Sequence, residues 1–288
     1  MALAAVSIVG DAVVKHARGS ALAAALAIGG VAAMILGAMT MHRPQSTKSR
    51  NDSAREGAVP WDWSDFVMFW PASFAAATFL NAVAVPLVDA SDAALGADTQ
   101  LAARSFTEQA VLYASALFNL YVLVGLRRGG RLRDLGWRGF RWWWIPIAAA
   151  CVGAALKVAE YLQELSARIF PTAQNSQCVT VRHDYSHSLV LAIVVVCVLA
   201  PLAEETIFRG FVYGWLRRWT RFPIAIPISG VIFATLHQEL LILLPLFAVG
   251  CILAALYQGS RSIWPGVLTH AGFNLPGILL ILSPTTSC

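Results

Sequence analysis

Charge is what this chain has least of. Asp, Glu, Lys and Arg make up only 13% of its 288 residues, while 58% are hydrophobic, and its mean hydropathy is +0.64. Soluble domains carry about 25% charged residues, so a soluble fold is excluded. Cysteine is scarce as well. Cys151, Cys178, Cys197, Cys251 and Cys288 form an odd set of five, mostly in apolar segments. They suggest neither a disulfide framework nor a paired metal site, and read as small core hydrophobes. The chain has no His-Glu-x-x-His stretch, so the helix that brings two zinc ligands and a base together is missing. It shows no internal repeat of the transporter kind. Its net charge of +5 forms no basic stripe interleaved with aromatics, so nucleic acid is not an expected partner.

What is present is a series of apolar runs of about 17–25 residues, the length that crosses roughly 30 Å of hydrocarbon as helix. They fall near 20–41, 64–88, 108–126, 142–163, 188–212, 223–241, 242–258 and 262–282. The expected fold is therefore all-α, an integral-membrane bundle of about eight transmembrane helices with the lipid bilayer as its first partner. Residues 1–107 supply N-terminal membrane helices and polar loops, and 108–288 form the expected catalytic membrane domain. The run from Ser20 exceeds a signal-peptide core and no small-x-small site closes it, so a retained anchor is expected.

Arginine sets the orientation. With the amino terminus outside, fourteen Lys and Arg fall on the cytosolic side, in the loop after the first run and in the stretches around 127–141, 217–221 and 261. Five fall outside: Lys15, Arg18, Arg104, Arg168 and Arg182. That bias places both termini outside. Trp142, Trp143 and Trp144 follow the arginine loop directly, as an interfacial belt would. The protein is thus expected in a bacterial inner membrane.

Three charges interrupt one of these runs: Glu204, Glu205 and Arg209. Each costs about 2.5–3.5 kcal/mol at a bilayer centre on insertion scales, so pairing or function must hold them there. Glu205 and Arg209 are four apart on one helical face, acid first, the favourable order. Glu204 is rotated about 100° away from that pair and is expected to face a cavity. The next run carries Phe233-x-x-x-His237, and the last carries His270-x-x-x-Asn274. Counted at 1.5 Å per residue from the nearest loop arginine, Glu204, His237, His270 and Asn274 lie about 14–24 Å along their helices. One polar layer is the expected result. A lone buried histidine is usually a satisfied core residue, but this constellation argues against that reading. His183 and His187 lie four apart in an outward loop and are assigned no role.

The pattern Glu204-Glu205-x-x-x-Arg209, Phe233-x-x-x-His237, His270-x-x-x-Asn274 resembles the three-motif signature of the CPBP family, which comprises the CAAX-processing type II prenyl endopeptidases and their bacteriocin-processing relatives. The resemblance covers about residues 120–282, Leu135-Gly136-Trp137 included. It implies an intramembrane endopeptidase whose cavity opens to the cytosolic side and whose substrate is a membrane-associated peptide or protein. On that resemblance Glu204 is the base that activates a water, and Glu205 and Arg209 shape the site electrostatically. His237 and His270 position the water or polarise the scissile carbonyl, and Asn274 donates to the oxyanion. A divalent metal such as zinc, on Glu204, His237 and His270, stays open; the preferred reading needs no cofactor. A proton- or ion-coupled transporter and a non-catalytic, partner-binding family member are the alternatives. Neither oligomeric state nor substrate identity follows from the sequence.

Overall fold

The computed structural model describes residues 59–91, 96–284 and 288, and within these the secondary structure is helical. Eight helices follow one another: α1 Trp63–Ser91, α2 Ala97–Leu120, α3 Trp144–Ile169, α4 Ser176–Tyr185, α5 Leu189–Trp219, α6 Phe222–Thr235, α7 Leu243–Ser260 and α8 Trp264–Ile281. Five of them (α1, α2 with its continuation to Arg127, α3, α5 and α7) are long and apolar enough to cross a membrane. Seven of the eight expected runs correspond to a helix. The run at 20–41, the residues before it and the basic loop after it lie outside the described residues.

Local sequence explains the element ends. Pro223 and Pro265 stand in the first turns of α6 and α8, where a missing N–H costs nothing. Asn175 caps α4 by accepting from Cys178 N at 3.0 Å. Pro71, Pro86, Pro227 and Pro276 sit inside helices, which a bundle tolerates because neighbouring helices re-satisfy the freed carbonyls. α6 stops at Thr235, short of the expected 241. The chain turns at Leu236–Gln238, with Gln238 in the left-handed region at φ 55, so His237 lies in that turn and not on the helix.

Trp61, Phe69, Phe208, Phe211, Tyr213 and Phe233 share one buried core. The division expected at 107/108 falls inside α2, and Phe69 of α1 packs on Phe211 of α5 with ring centroids 5.2 Å apart.

Each end of the bundle is tied differently. At one end Arg127, Arg128, Arg131, Arg133, Arg138, Arg141, Arg217, Arg218, Arg221 and Arg261 gather. Arg127 Nη1 meets Asp65 Oδ1 at 2.6 Å, Arg128 Nη2 meets Asp62 and Asp65 at 2.7 and 2.8 Å, and Arg218 donates to the Trp61 carbonyl at 3.1 Å. The turn Leu132–Leu135 lies so close to α5 that a Cβ on Gly210 would sit 2.4 Å from the Leu135 carbonyl oxygen. Trp137 Nε1 fixes that approach by donating to Thr206 Oγ1 at 3.1 Å.

At the other end α4 packs over the ends of α6 and α8. Ser176 donates to the Glu239 carboxylate, and Arg182 donates to the Ser283 carbonyl at 2.7 Å. Cys178 and Cys288 are joined in a disulfide, while Cys151, Cys197 and Cys251 are free. Cys178 and Cys288 thus depart from the expectation that all five cysteines serve as small core hydrophobes. The partners are 110 residues apart in sequence, a pairing that spacing does not reveal.

Candidate active site

The site is built on α5, which does not wind uniformly. Val194–Leu199 and Glu205–Tyr213 take the wider π-type turn, with Ala200–Glu204 in ordinary α-helix between them. Such interruptions of the i→i−4 ladder recur at functional sites, and they let side chains reach helix carbonyls. One does so here: Asn274 Nδ2 of α8 donates to the Val196 carbonyl at 2.8 Å.

The two glutamates divide as their rotation implies. Glu205 Oε1 lies 3.0 Å from Arg209 Nη1, both side chains being fully buried, and 3.1 Å from His270 Nδ1. Arg209 also donates to the Gly250 carbonyl at 3.2 Å and lies over the Phe233 ring at 4.6 Å. Glu204 turns to a cavity instead. Its Oε1 accepts from Tyr113 Oη at 3.1 Å, and its Oε2 lies 3.9 Å from His270 Nε2.

The chemistry of the partners fixes both histidine tautomers. The Phe233 carbonyl only accepts, so His237 Nδ1, 2.7 Å away, carries the proton and leaves Nε2 as acceptor. An ionised Glu205 only accepts too, so His270 Nδ1 donates to it and His270 Nε2 faces Glu204. Phe233 wedges between them, edge-on to His237 at 4.7 Å and to His270 at 5.8 Å. Gly266 is required here, since a Cβ there would stand 2.6 Å from Glu205 Oε2.

Glu204, His237, His270 and Asn274 line one cavity of about 420 Å³. Three of them are almost wholly buried. Glu205 and Arg209 stand behind this lining and hold His270. The expected polar layer is therefore present, with its members in two ranks. Among the described residues no three His, Cys, Asp or Glu side chains are arranged to hold a metal ion together. His270 gives Nδ1 to Glu205 and turns Nε2 toward Glu204 at 3.9 Å, an arrangement that suits a bridging water and a bound ion alike; no step is routed through an ion. His183 and His187 pair with Asp184 and Asp98 on the surface, away from the cavity.

Apart from these groups the walls are apolar, and they come from one half of the bundle. They include Val196 of α5, Leu246 and Val249 of α7, and Phe273 and Ile278 of α8, with Glu160, Gln163, Asn175 and Gln177 at the rim. No residue of the arginine loop 127–141 or of 217–222 lines the cavity.

Three contributors had no signal in the sequence. Tyr113 sits in an apolar run and reads as any interfacial or core aromatic. Gln177 reaches the His237 carbonyl at 3.4 Å and Ser176 holds Glu239, contacts that exist only because α4 folds back over the α6–α7 turn.

Comparisons with known proteins bear on the same stretch. Residues 186–276 match the family model described as type II CAAX prenyl endopeptidase Rce1-like. That interval contains every residue of the three motifs. The chain is also 33% identical over 112 residues to a Bacillus subtilis (strain 168) protein named "Putative membrane peptidase YdiL". The alignment covers 39% of this chain and 45% of that relative, so the chain spans less than half of the relative's length. No solved structure matches.

Proposed function

We propose that the cavity hydrolyses a peptide bond of a membrane-associated peptide or protein by means of a water activated by Glu204. The observation that carries this reading is the 3.9 Å separation of Glu204 Oε2 and His270 Nε2 beside Asn274, with His270 locked from behind by Glu205. Two acceptors at that spacing are bridged by one water, which gives one hydrogen to each. The Rce1-like match over 186–276 and the name of the relative support the same reading.

Glu204 takes a proton from the water while the water oxygen attacks the scissile carbonyl carbon. The carbonyl π bond opens onto its oxygen, and an Asn274 N–H receives the developing negative charge. One amide hydrogen of Asn274 is committed to Val196, and the amide has a second. When the tetrahedral species collapses, the C–N bond breaks and Glu204 returns its proton to the leaving amine. Water is consumed, its second hydrogen passes from the new carboxyl group to the amine, and a carboxylate and an ammonium are released. Glu205 and Arg209 do not touch the reacting atoms; they fix the ring and the tautomer of His270.

The test is turnover by the purified full chain with a panel of membrane-associated peptides, read beside its metal content. The expected result is hydrolysis that Glu204→Gln lowers by about 10²–10⁴, the range for a positioned base, with unchanged melting and no stoichiometric metal. Full activity of Glu204→Gln overturns the role of Glu204. Stoichiometric zinc lost together with activity in His270→Ala overturns the metal-free step.

A further inference from the structure

Three independent observations fall on one end of this molecule. The first is the cavity, whose lining comes from the later halves of α3 and α8 and the early halves of α5 and α7, and whose rim is Glu160, Gln163, Asn175 and Gln177. The second is the disulfide. Cys178 lines the cavity and is bonded to Cys288, and such bonds persist in oxidising compartments and are rare in the cytosol. The third is charge. The opposite end holds ten arginines, while among the described residues the cavity end has Arg104, Arg168 and Arg182, with Lys157 paired to the rim residue Glu160. Short membrane-flanking segments rich in Lys and Arg stay in the cytosol.

We infer that the site takes its substrate from the non-cytosolic face of the membrane, as an apolar peptide segment presented beside the disulfide-tied helix α4. A path from the arginine face would have to pass the aromatic core of Tyr213, Phe211 and Phe208 and then Arg209 and Glu205, which are fully buried. From the other face the polar rim gives way directly to apolar wall, and Glu204 lies at its depth. Val196, Leu246, Val249, Phe273 and Ile278 offer a peptide no charged partner, so the residues flanking the scissile bond are apolar. The disulfide and the Ser176–Glu239 and Gln177–His237 contacts hold α4 at the mouth. The word "substrate" rests on the hydrolytic reading above; the direction of access does not.

Cysteine accessibility in the full chain tests the direction without any turnover. Gln163→Cys marks the rim, Ala159→Cys the cavity wall, and Arg133→Cys the arginine loop, with Glu160→Cys as a second rim position should the first fail to fold. A membrane-impermeant, negatively charged methanethiosulfonate is added to intact cells and, separately, to inverted vesicles; the parent chain, with its three free cysteines, gives the background. The expected result is modification of the rim and wall in intact cells, and of Arg133→Cys in inverted vesicles alone. Rim modification from the cytosolic side, modification of rim and loop from the same side, or no modification of rim and wall from either side overturns the inference. A protein that labels as expected but hydrolyses nothing defeats the peptidase reading and leaves the access intact. Reversed labelling in an active protein defeats the access alone.

Discussion

Asp65 and Glu204 are both buried carboxylates in membrane helices, 0% and 1% exposed, yet Asp65 lies in the first turn of α1 and Glu204 midway along α5, and they follow opposite designs. Asp65 gives one oxygen to Arg127 and the other to Arg128, and it also accepts from Asp62 N at 2.9 Å. Its charge is cancelled and enclosed, which ties α1 to the arginine loop. Glu204 is held by the Tyr113 phenol, with His270 3.9 Å away, and it lines a cavity. Burial alone thus does not separate a carboxylate locked between guanidiniums from one that lines a cavity. What separates them is the kind of neighbour: two guanidiniums around Asp65, a phenol, a histidine and a cavity wall around Glu204.

The largest effect that sharpens this contrast is expected at Asn274. Asn274→Ala removes the donor that faces the oxyanion and should lower kcat by about 10²–10³, with a smaller change in KM because that charge exists only in the transition state. A matched rise in KM at constant kcat would show that Asn274 binds substrate in the ground state instead.

Next comes the paired comparison of Glu205→Gln with Asp65→Asn. Each leaves a buried guanidinium short of a charge partner, which costs about 3–5 kcal/mol, so both should lower the melting temperature strongly. Only Glu205→Gln should also lower kcat of the folded fraction, since Glu205 orients His270 through Nδ1. Asp65 touches nothing in the cavity. Equal kcat losses in the two variants would break the division between the ends.

Tyr113→Phe is expected to be milder and more specific. It keeps the ring in the core and removes only the hydroxyl that meets Glu204 Oε1. A lost hydrogen bond to a charged group is worth about 1.5–3 kcal/mol, so kcat should fall by roughly one to two orders of magnitude. In a Glu204→Gln background the same substitution should change the residual rate little, because the hydroxyl acts through Glu204. Additive losses would assign Tyr113 to packing.

How far the sequence alone reaches follows from the same residues. The positions of seven apolar runs were legible because apolar length is a local property. So was the division of Glu204 from Glu205, which follows from a 100° rotation. The convergence of His237, His270 and Asn274 was legible as compatible depth along three helices. Tyr113, Gln177 and the Cys178–Cys288 bond were not, because each depends on which distant elements touch. The direction of the cavity was hidden for a related reason. Motif spacing gives depth along a helix but does not say which half of the bundle splays open. The wall contributed by α3 and the position of α4 answer that, and neither region carries a motif.

The smallest expected effect lies at the arginine end and concerns pH. Burial pushes the Asp62 carboxyl up, but the Ser64 hydroxyl and backbone and the Arg128 guanidinium together hold it below its ordinary value. The Arg128 contact is 2.7 Å, yet the Asp62 side chain is 39% exposed, so solvent screening limits the pair to about 0.2–1 kcal/mol. A carboxyl with a lowered folded pKa contributes stability that is fully present above the unfolded value, about 3.9. That contribution is lost as pH falls through the folded value. Thermal melts of the parent and of Asp62→Asn should therefore differ slightly and constantly above about pH 5, and converge as pH drops below about 4. The cavity end should not follow this course, because Asp62 lies among the arginines and touches none of the residues that line the cavity. A gap that widens as the pH falls would mean that Asp62 is better off protonated in the fold. The arginine end would then be held by Asp65 alone.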